Sequence, residues 1–454
     1  MDYQLLLAIS IGIIVLLILI LRFKMQAFIA LLIAGITVGV IAGMPPVQII
    51  DSIKNGMGGT LGFVAVVVGL GAMFGAILEQ SGGAEALASY LLKKFGEKNT
   101  SMALMLTGFF IAIPVFFDVG FIILVPLIYS LQRRTKKSLL LYAIPLLAGL
   151  AVTHAFIPPT PGPVAVADIL SADLGWVILM GFITGIPAAL ISGPVFAKYI
   201  SKRIHIEAPE VDNIQSGEKI FPGVGVILTI IGIPILLIVA NTVLNSPFFD
   251  NVNLSIGNEK SFFSIDLKAW MGLIGHPFTA LILANVIAWY VLGIRRGTTR
   301  AELLEICTKS LGPAGIIILL TGAGGAFKQL LVDTGSGEMI AGYLNQSGMN
   351  IFLFAFILAA MVRILQGSAT VAMITAAGIV ASLVIDMNPL ETALLVIAIA
   401  SGASILSHVN DSGFWLVSKY LGLDEKQTFR SWTIMTTILA LTGLAMVSLL
   451  SLFV

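Results

Sequence analysis

Apolar runs separated by short polar intervals fill this chain from one end to the other. Those at 4–21, 26–43, 61–80, 138–170, 174–198, 221–243, 270–293, 311–331, 391–417 and 431–453 predict helical spans. About 20 mostly apolar residues in a helix cross the roughly 30 Å of a bilayer's hydrocarbon core. Two further runs, 100–131 and 350–386, overrun a single crossing at about 1.5 Å per residue. Each is interrupted near its middle, by Pro114-Val115-Phe116-Phe117-Asp118-Val119-Gly120 and by Leu365-Gln366-Gly367-Ser368-Ala369-Thr370. Both are expected to be re-entrant hairpins, because non-helical backbone at membrane depth survives only when buried in protein or lining a wet cavity. The first run has Asp2 at its start and no basic leader or small-residue cleavage site, so it reads as a retained span rather than a signal peptide.

The pattern also repeats. Ser81-Gly82-Gly83-Ala84-Glu85 aligns with Thr334-Gly335-Ser336-Gly337-Glu338 at the spacing that separates Gly149 from Gly402, and Thr153-His154 aligns with Ser407-His408 almost in step. If the 22–25 loop is cytoplasmic, the outer segments hold only Lys54, Lys260 and Lys268, the bias the positive-inside rule expects. The first hairpin then opens inward and the second outward, with both termini outside. Each half has five spans and one hairpin, and an odd number inverts the second half, giving an inverted repeat. The expected fold is an all-α polytopic membrane protein with about ten transmembrane helices, two opposed re-entrant hairpins and two broken helices. Its halves are 1–200 (scaffold helices 1–80, hairpin 100–131, broken helix 138–170) and 221–454 (scaffold helices 221–331, hairpin 350–386, broken helix 391–417). Residues 201–220 form a cytoplasmic linker.

Composition narrows the function. Apolar residues are 58% of the 454 and charged residues 11%, against about 25% charged in a soluble domain. A net charge of +1 argues against nucleic acid, and the lone Cys307 excludes an internal disulfide or a thiolate metal cluster. No cofactor motif is present: the glycines at 69, 71 and 75 and at 322, 324 and 325 lack the Lys-Ser or Lys-Thr of a phosphate loop and suit close helix packing instead. An intramembrane enzyme is weakly supported, since no His-Glu-x-x-His, Gly-x-Ser-x-Gly or Gly-x-Gly-Asp appears. A channel would need a polar stripe joining the two sides.

Chemistry concentrates where helices break. The block Thr153-His154-Ala155-Phe156-Ile157-Pro158-Pro159-Thr160-Pro161-Gly162-Pro163 cannot stay helical, because each proline removes a donor and crowds the preceding turn. Ser407-His408-Val409-Asn410-Asp411-Ser412-Gly413 favours turns and caps. Unwinding there exposes half-helix N-termini, which attract carboxylates. The tips at Asp118 and Gln366 are expected to meet near mid-membrane, flanked by both breaks, with Thr153, His154 and Thr160 facing Ser407, His408, Asn410 and Ser412. Asp118, in an apolar hairpin, reads as a buried proton carrier or as a cap on the adjacent half-helix. His154 and His408 can shuttle protons or tie up freed carbonyls. Arg363 and Lys328 can each neutralise an anionic substrate, Arg363 by gripping its carboxylate through two N–H groups, or belong to a structural pair or snorkel; Lys328 better suits the structural role. No zinc geometry is completed, so no metal is expected. Glu85 and Glu338 fall on amphipathic stretches that read as solvated faces.

Five motifs carry a family resemblance over essentially the whole chain. They are Phe116-Phe117-Asp118-Val119-Gly120-Phe121, His154 through Pro163, Gly322-Ala323-Gly324-Gly325-Ala326-Phe327-Lys328, Gln366-Gly367-Ser368-Ala369-Thr370-Val371-Ala372 and Ser407 through Trp415. The chain resembles the gluconate permease family, bacterial proton symporters for sugar acids and D-serine, within the wider ion-transporter superfamily. The resemblance implies proton-coupled uptake of a small anionic or zwitterionic substrate across the bacterial cytoplasmic membrane, by an elevator-like movement in a homodimer. Sodium coupling through carbonyls of the broken helices is the alternative. The proton-coupling candidates are Asp118, His154 and His408. The substrate-binding candidates are Phe117, Gly120, Thr153, Pro159, Thr160, Gly162, Arg363, Gln366, Gly367, Ser368, Thr370, Ser407, Asn410, Asp411 and Ser412.

Overall fold

The computed structural model describes residues 3–209, 221–245, 255–256, 265–335, 349–384, 387–409 and 411–454. Asn410, the linker from 210 to 220, most of the 244–268 outer loop and the second copy of the repeat from Ser336 to Leu344, Glu338 included, lie outside the described residues. Among those described the protein is helical, apart from an antiparallel pairing of Ser255–Ile256 with Ile265–Asp266.

The helices in chain order are α1 (Tyr3–Leu21), α2 (Ala27–Ile41), α3 (Pro46–Gln80), α4 (Gly83–Phe95), α5 (Thr100–Ile111), α6 (Phe117–Thr135), α7 (Leu140–Phe156), α8 (Pro161–Ile169) and α9 (Leu174–Ile200). They continue with α10 (Val224–Leu244), α11 (Leu267–Ile274), α12 (Pro277–Arg296), α13 (Arg300–Asp333), α14 (Ile351–Gln366), α15 (Ala369–Val380), α16 (Pro389–Ser404), α17 (Ser412–Leu421) and α18 (Glu425–Leu450). Counting α7–α8 as one, 7 spans among the described residues are long and apolar enough to cross a membrane, and shorter apolar helices accompany them.

Three spans begin earlier than the hydropathy pattern predicts, and the expected 270–293 span is split between α11 and α12 at Gly275-His276. Helix α3 starts at Pro46, not near 61; α13 starts at Arg300, not near 311; α18 starts at Glu425, not near 431. Their N-terminal stretches mix polar, charged and glycine residues with apolar ones, so hydropathy misses them, but local chemistry supports helix. Pro46 sits at the first helical position, Thr299 and Glu302 form a capping box, and Asp424 and Gln427 form another.

The centre of the molecule is the antiparallel pair α3 and α13. Ser52 donates to Asp333 at 2.5 Å near one end, and Gly69 approaches Leu311 near the other. At the crossing a side chain on Gly56 would strike the backbone at Gly325, and one on Gly325 would strike Thr60 and the Gly56 carbonyl. Such close approach is how helices hold together in lipid, where burying apolar surface gives little drive. The other face of α3 carries the breaks: Gly71 lies under the Pro159 carbonyl, and Gly75 abuts the Pro114 carbonyl.

Stretch 97–135 returns to the side it entered. Arg134 donates to Glu97 at 2.9 Å, joining the end of α6 to the residues just before α5. Helix α5 packs on α7 where Gly108 and Gly149 each face backbone of the other helix, and α14 packs on α16 where Gly402 faces the Phe356 carbonyl.

Candidate functional site

Four helices begin at the wall of one cavity. They are α6 at Phe117, α8 at Pro161, α15 at Ala369 and α17 at Ser412, and the cavity measures about 600 Å³. Each follows a break, and the breaks are built differently. Before α6 the chain turns through Pro114, and Phe116 precedes the helix in extended conformation without a side-chain cap. Between α7 and α8, Ile157 is extended, Pro158 and Pro159 are joined by a cis bond, and the Thr160 hydroxyl donates to the Ile157 carbonyl at 2.6 Å. Pro161 then opens α8 with no N–H to satisfy.

The second pair is closed by side chains. Gly367 turns the chain at φ 92, a left-handed conformation that suits glycine. The Ser368 N–H donates to Gln366 Oε1 at 2.7 Å, and the Ser368 hydroxyl accepts from the Val371 N–H at 3.3 Å. Leu406 sits at φ 46, where a leucine is strained, so its surroundings must hold it. Asp411 caps α17 by accepting from the Gly413 N–H at 3.0 Å. Its other oxygen, Oδ2, accepts from Arg363 Nη2 at 2.5 Å and from the Ser407 hydroxyl.

Arg363 is 5% exposed and Asp411 9%. A buried pair is tolerable only when its remaining polar groups are met. Asp411 meets that condition. Arg363 does not: its Nε and Nη1 are buried and have no partner among the described residues, although Arg363 lines the cavity. A guanidinium anchored through one nitrogen keeps two more with donor capacity for an anionic oxygen.

Of the residues expected from sequence, Phe117, Asp118, His154, Arg363, Gln366, Gly367, Ser368, Thr370, Asp411 and Ser412 line the cavity. The tips at Asp118 and Gln366 are therefore on one wall system. Asp118, expected to be buried, is exposed: α6 starts one residue earlier and carries it in its first turn at the cavity surface. His154 lies edge-on to Phe116, with ring centroids 6.3 Å apart, and its Nδ1 has no partner among the described residues.

The remaining expected residues that the structure describes are not in the lining. Thr153 is buried with an unpartnered hydroxyl, Thr160 is committed to Ile157, and Pro159 rests on Gly71. Gly120 packs against Leu150 and Gly162 against Met373. Ser407 lies behind Asp411, and His408 donates from Nε2 to the Ile364 carbonyl at 2.8 Å. Thr153 and Thr160 thus do not face the second break across open space. Lys328 donates to the Ile169 carbonyl at the C-terminal end of α8, a favourable place for a cation and one that engages it structurally. Among the described residues no His, Cys, Asp and Glu cluster could hold a metal ion.

Lining residues that sequence reasoning missed include Ala151 of α7 and Ser404 of α16, and two whole helices not expected at the site: Pro313 and Ile317 of α13, and Trp432, Thr436 and Leu439 of α18. The available signal was polar: Ser431, Trp432, Thr433, Thr436 and Thr437 make an uncommonly hydroxyl-rich start to an apolar span.

A helical membrane protein with broken helices around a central cavity has the architecture of a secondary transporter. The fold matches two solved transporters at low sequence identity. One is YdaH of Alcanivorax borkumensis, with a TM-score of 0.60, 12% identity and 88% of each chain covered. The other is MtrF of Neisseria gonorrhoeae, with a TM-score of 0.61, 15% identity, and 88% of this chain and 83% of that one covered. Sequence is more specific. The chain belongs to the GntP family of permeases, whose family pattern matches residues 4–453. It is 41% identical to a gluconate permease of Pseudomonas aeruginosa over 99% of this chain and 98% of that protein. It is 40% identical to a low-affinity gluconate transporter of Escherichia coli K12, and equally to that organism's inner membrane permease YgbN, over 95% of each chain in both cases. The protein is therefore a multi-pass membrane transporter and not an enzyme.

Proposed function

We propose that the chain is a proton-coupled symporter that takes up gluconate, or a similar small hydroxylated carboxylate, across the bacterial cytoplasmic membrane. The observation carrying this reading is the convergence on one cavity of four helix N-termini, those at Phe117 and Pro161 without a side-chain cap, and of Arg363, whose Nε and Nη1 have no partner among the described residues. N-terminal amides and a guanidinium favour a carboxylate. Gln366, Ser368, Thr370 and Ser412 offer donors and acceptors for a polyol, and about 600 Å³ accommodates a six-carbon acid. The printed names of the relatives agree with this substrate class.

Proton coupling rests on Asp118, a carboxylate on the cavity wall with no ion pair among the described residues, and on His154, which lines the same cavity. An elevator-type movement of an inverted repeat, in a homodimer, is consistent with the paired arrangement: hairpin and broken helix meet at Gly149 in one half and at Gly402 in the other. The halves are 1–200 and 221–454, joined by 201–220. Uptake of labelled gluconate into proteoliposomes, driven separately by proton and sodium gradients, tests the proposal. Accumulation with the proton gradient alone is expected. Sodium dependence would move the coupling ion to the carbonyls of the breaks, and preference for D-serine would replace the aldonate with a zwitterion.

A further inference from the structure

Resting on the reading of this cavity as the transport site, we infer that Trp432 is a positioning residue that, through Ser407 and Asp411, fixes the guanidinium of Arg363 at the cavity wall. Trp432 lies in the wall of the cavity, 4% exposed, on the helical turn Phe429–Thr433, which is wound more widely than an α-helix. Such π-bulges tend to occur at functional sites.

Its indole N–H donates to the Ser407 hydroxyl at 2.6 Å. A hydroxyl that accepts from an indole directs its own proton elsewhere, and here that proton goes to Asp411 Oδ2, the oxygen that also receives Arg363 Nη2. Oδ1 is meanwhile held by the Gly413 N–H. The carboxylate plane is thus set by donors on both oxygens, and the guanidinium is set by the carboxylate.

Ser407 is fastened to the same helix twice more. Its N–H donates to the Thr436 hydroxyl at 3.2 Å, and its carbonyl accepts from the Thr433 hydroxyl. Three side chains of α18 therefore address the three polar groups of one residue in the break, next to the strained Leu406. Thr433 and Thr436 locate the backbone; Trp432 decides where the Ser407 proton points. Trp432 packs on Phe117 at a tilt, with ring centroids 5.5 Å apart, so Trp432→Phe keeps a ring there while losing the donor and part of the indole's volume; Ser407→Ala removes the same relay without touching that contact.

The test is a double-mutant cycle on Trp432→Phe and Ser407→Ala in reconstituted protein, reading KM and maximal rate for labelled gluconate separately. Each single variant is expected to raise KM about tenfold, the size of one hydrogen bond in a charged network, with the maximal rate within about twofold. The double variant is expected to be no worse than either single, because both remove the same relay. Arg363→Lys, measured beside them, is expected to mimic the KM effect. Unchanged KM in Trp432→Phe, or additive losses in the double variant, overturns the relay. A loss confined to maximal rate overturns it too, since that places Trp432 in the movement and not in holding the anion site. If Trp432→Phe does not fold, Ser407→Ala with unchanged KM is sufficient to reject the proposal. A wild type that takes up no aldonate fails differently, overturning the substrate assignment and the inference with it.

Discussion

The two broken helices do the same job by opposite means. The break at 157–160 is made by leaving things out: Pro158, Pro159, Pro161 and Pro163 lack N–H groups, so the chain has nothing with which to continue the helix, and neither Phe116 nor Thr160 offers a side-chain cap. The break at 405–411 is made by putting things in: Asp411, Ser407, Thr433, Thr436 and Arg363 satisfy the freed groups with a hydrogen-bonded network. The difference teaches that an unwound segment in a membrane is stable either when donors are removed or when each is answered. The first solution leaves helix N-termini open to a guest. The second commits its polar groups, and among the described residues part of Arg363 is left without a partner.

If that contrast is right, the largest loss comes from the committed side. Arg363→Ala strands Asp411, and removing one partner of a buried pair costs about 3–5 kcal/mol. Uptake of labelled gluconate in proteoliposomes should fall at least about a hundredfold, with a lower melting temperature. Arg363→Lys should keep the fold and lose affinity, because an ammonium cannot use two edges at once. Equal uptake by wild type and Arg363→Ala would move the anion site elsewhere.

Asp118→Asn comes next. It removes charge at the open N-terminus of α6 without touching the network, so gradient-driven accumulation should vanish while exchange of internal for external substrate persists. A variant that still concentrates substrate takes Asp118 out of the coupling role.

On the first break the expected loss is smaller. Replacing Pro158, Pro159 and Pro161 together with Ala restores donors and allows helix to propagate through 157–160, closing the α8 N-terminus. Substrate affinity should drop roughly tenfold, read as reduced thermal stabilisation by gluconate; unchanged affinity would mean that α8 does not face the substrate.

The smallest effect sharpens the comparison most directly. Ser368→Ala removes a cap from α15 and should lower stability by about 1 kcal/mol in a denaturation series, whereas Thr160→Val removes a hydroxyl that caps nothing on α8. Thr160→Val should cost less, since its lost bond is local to the turn. The reverse order would show that the first break also depends on side-chain hydrogen bonding.

What the amino-acid sequence determined by itself is the set of breaks. Prolines in a row, a Gly-Ser pair and an Asn-Asp-Ser-Gly run act within a few residues, so their effect on helix needs no knowledge of neighbours: α7 ends at Phe156, α14 at Gln366 and α16 at Ser404. Hydropathy located the apolar spans by the same local logic, and it erred at the starts of α3, α13 and α18, where stretches interrupted by polar residues are still helical.

Tertiary structure alone decided which broken ends share a cavity and what stands behind them. That Arg363 would be held by Asp411, that His408 would be spent on the Ile364 carbonyl, and that Lys328 would close α8 are contacts between segments distant in the chain. Trp432 had no local mark at all beyond a run of hydroxyl residues. Its place depends on α18 lying against the second break, and α18 lies there because Gly443 lets it approach Ser401 of α16. Helix breaks are written in short stretches of backbone chemistry; the partners that make a break into a site are set by packing, which no single stretch specifies.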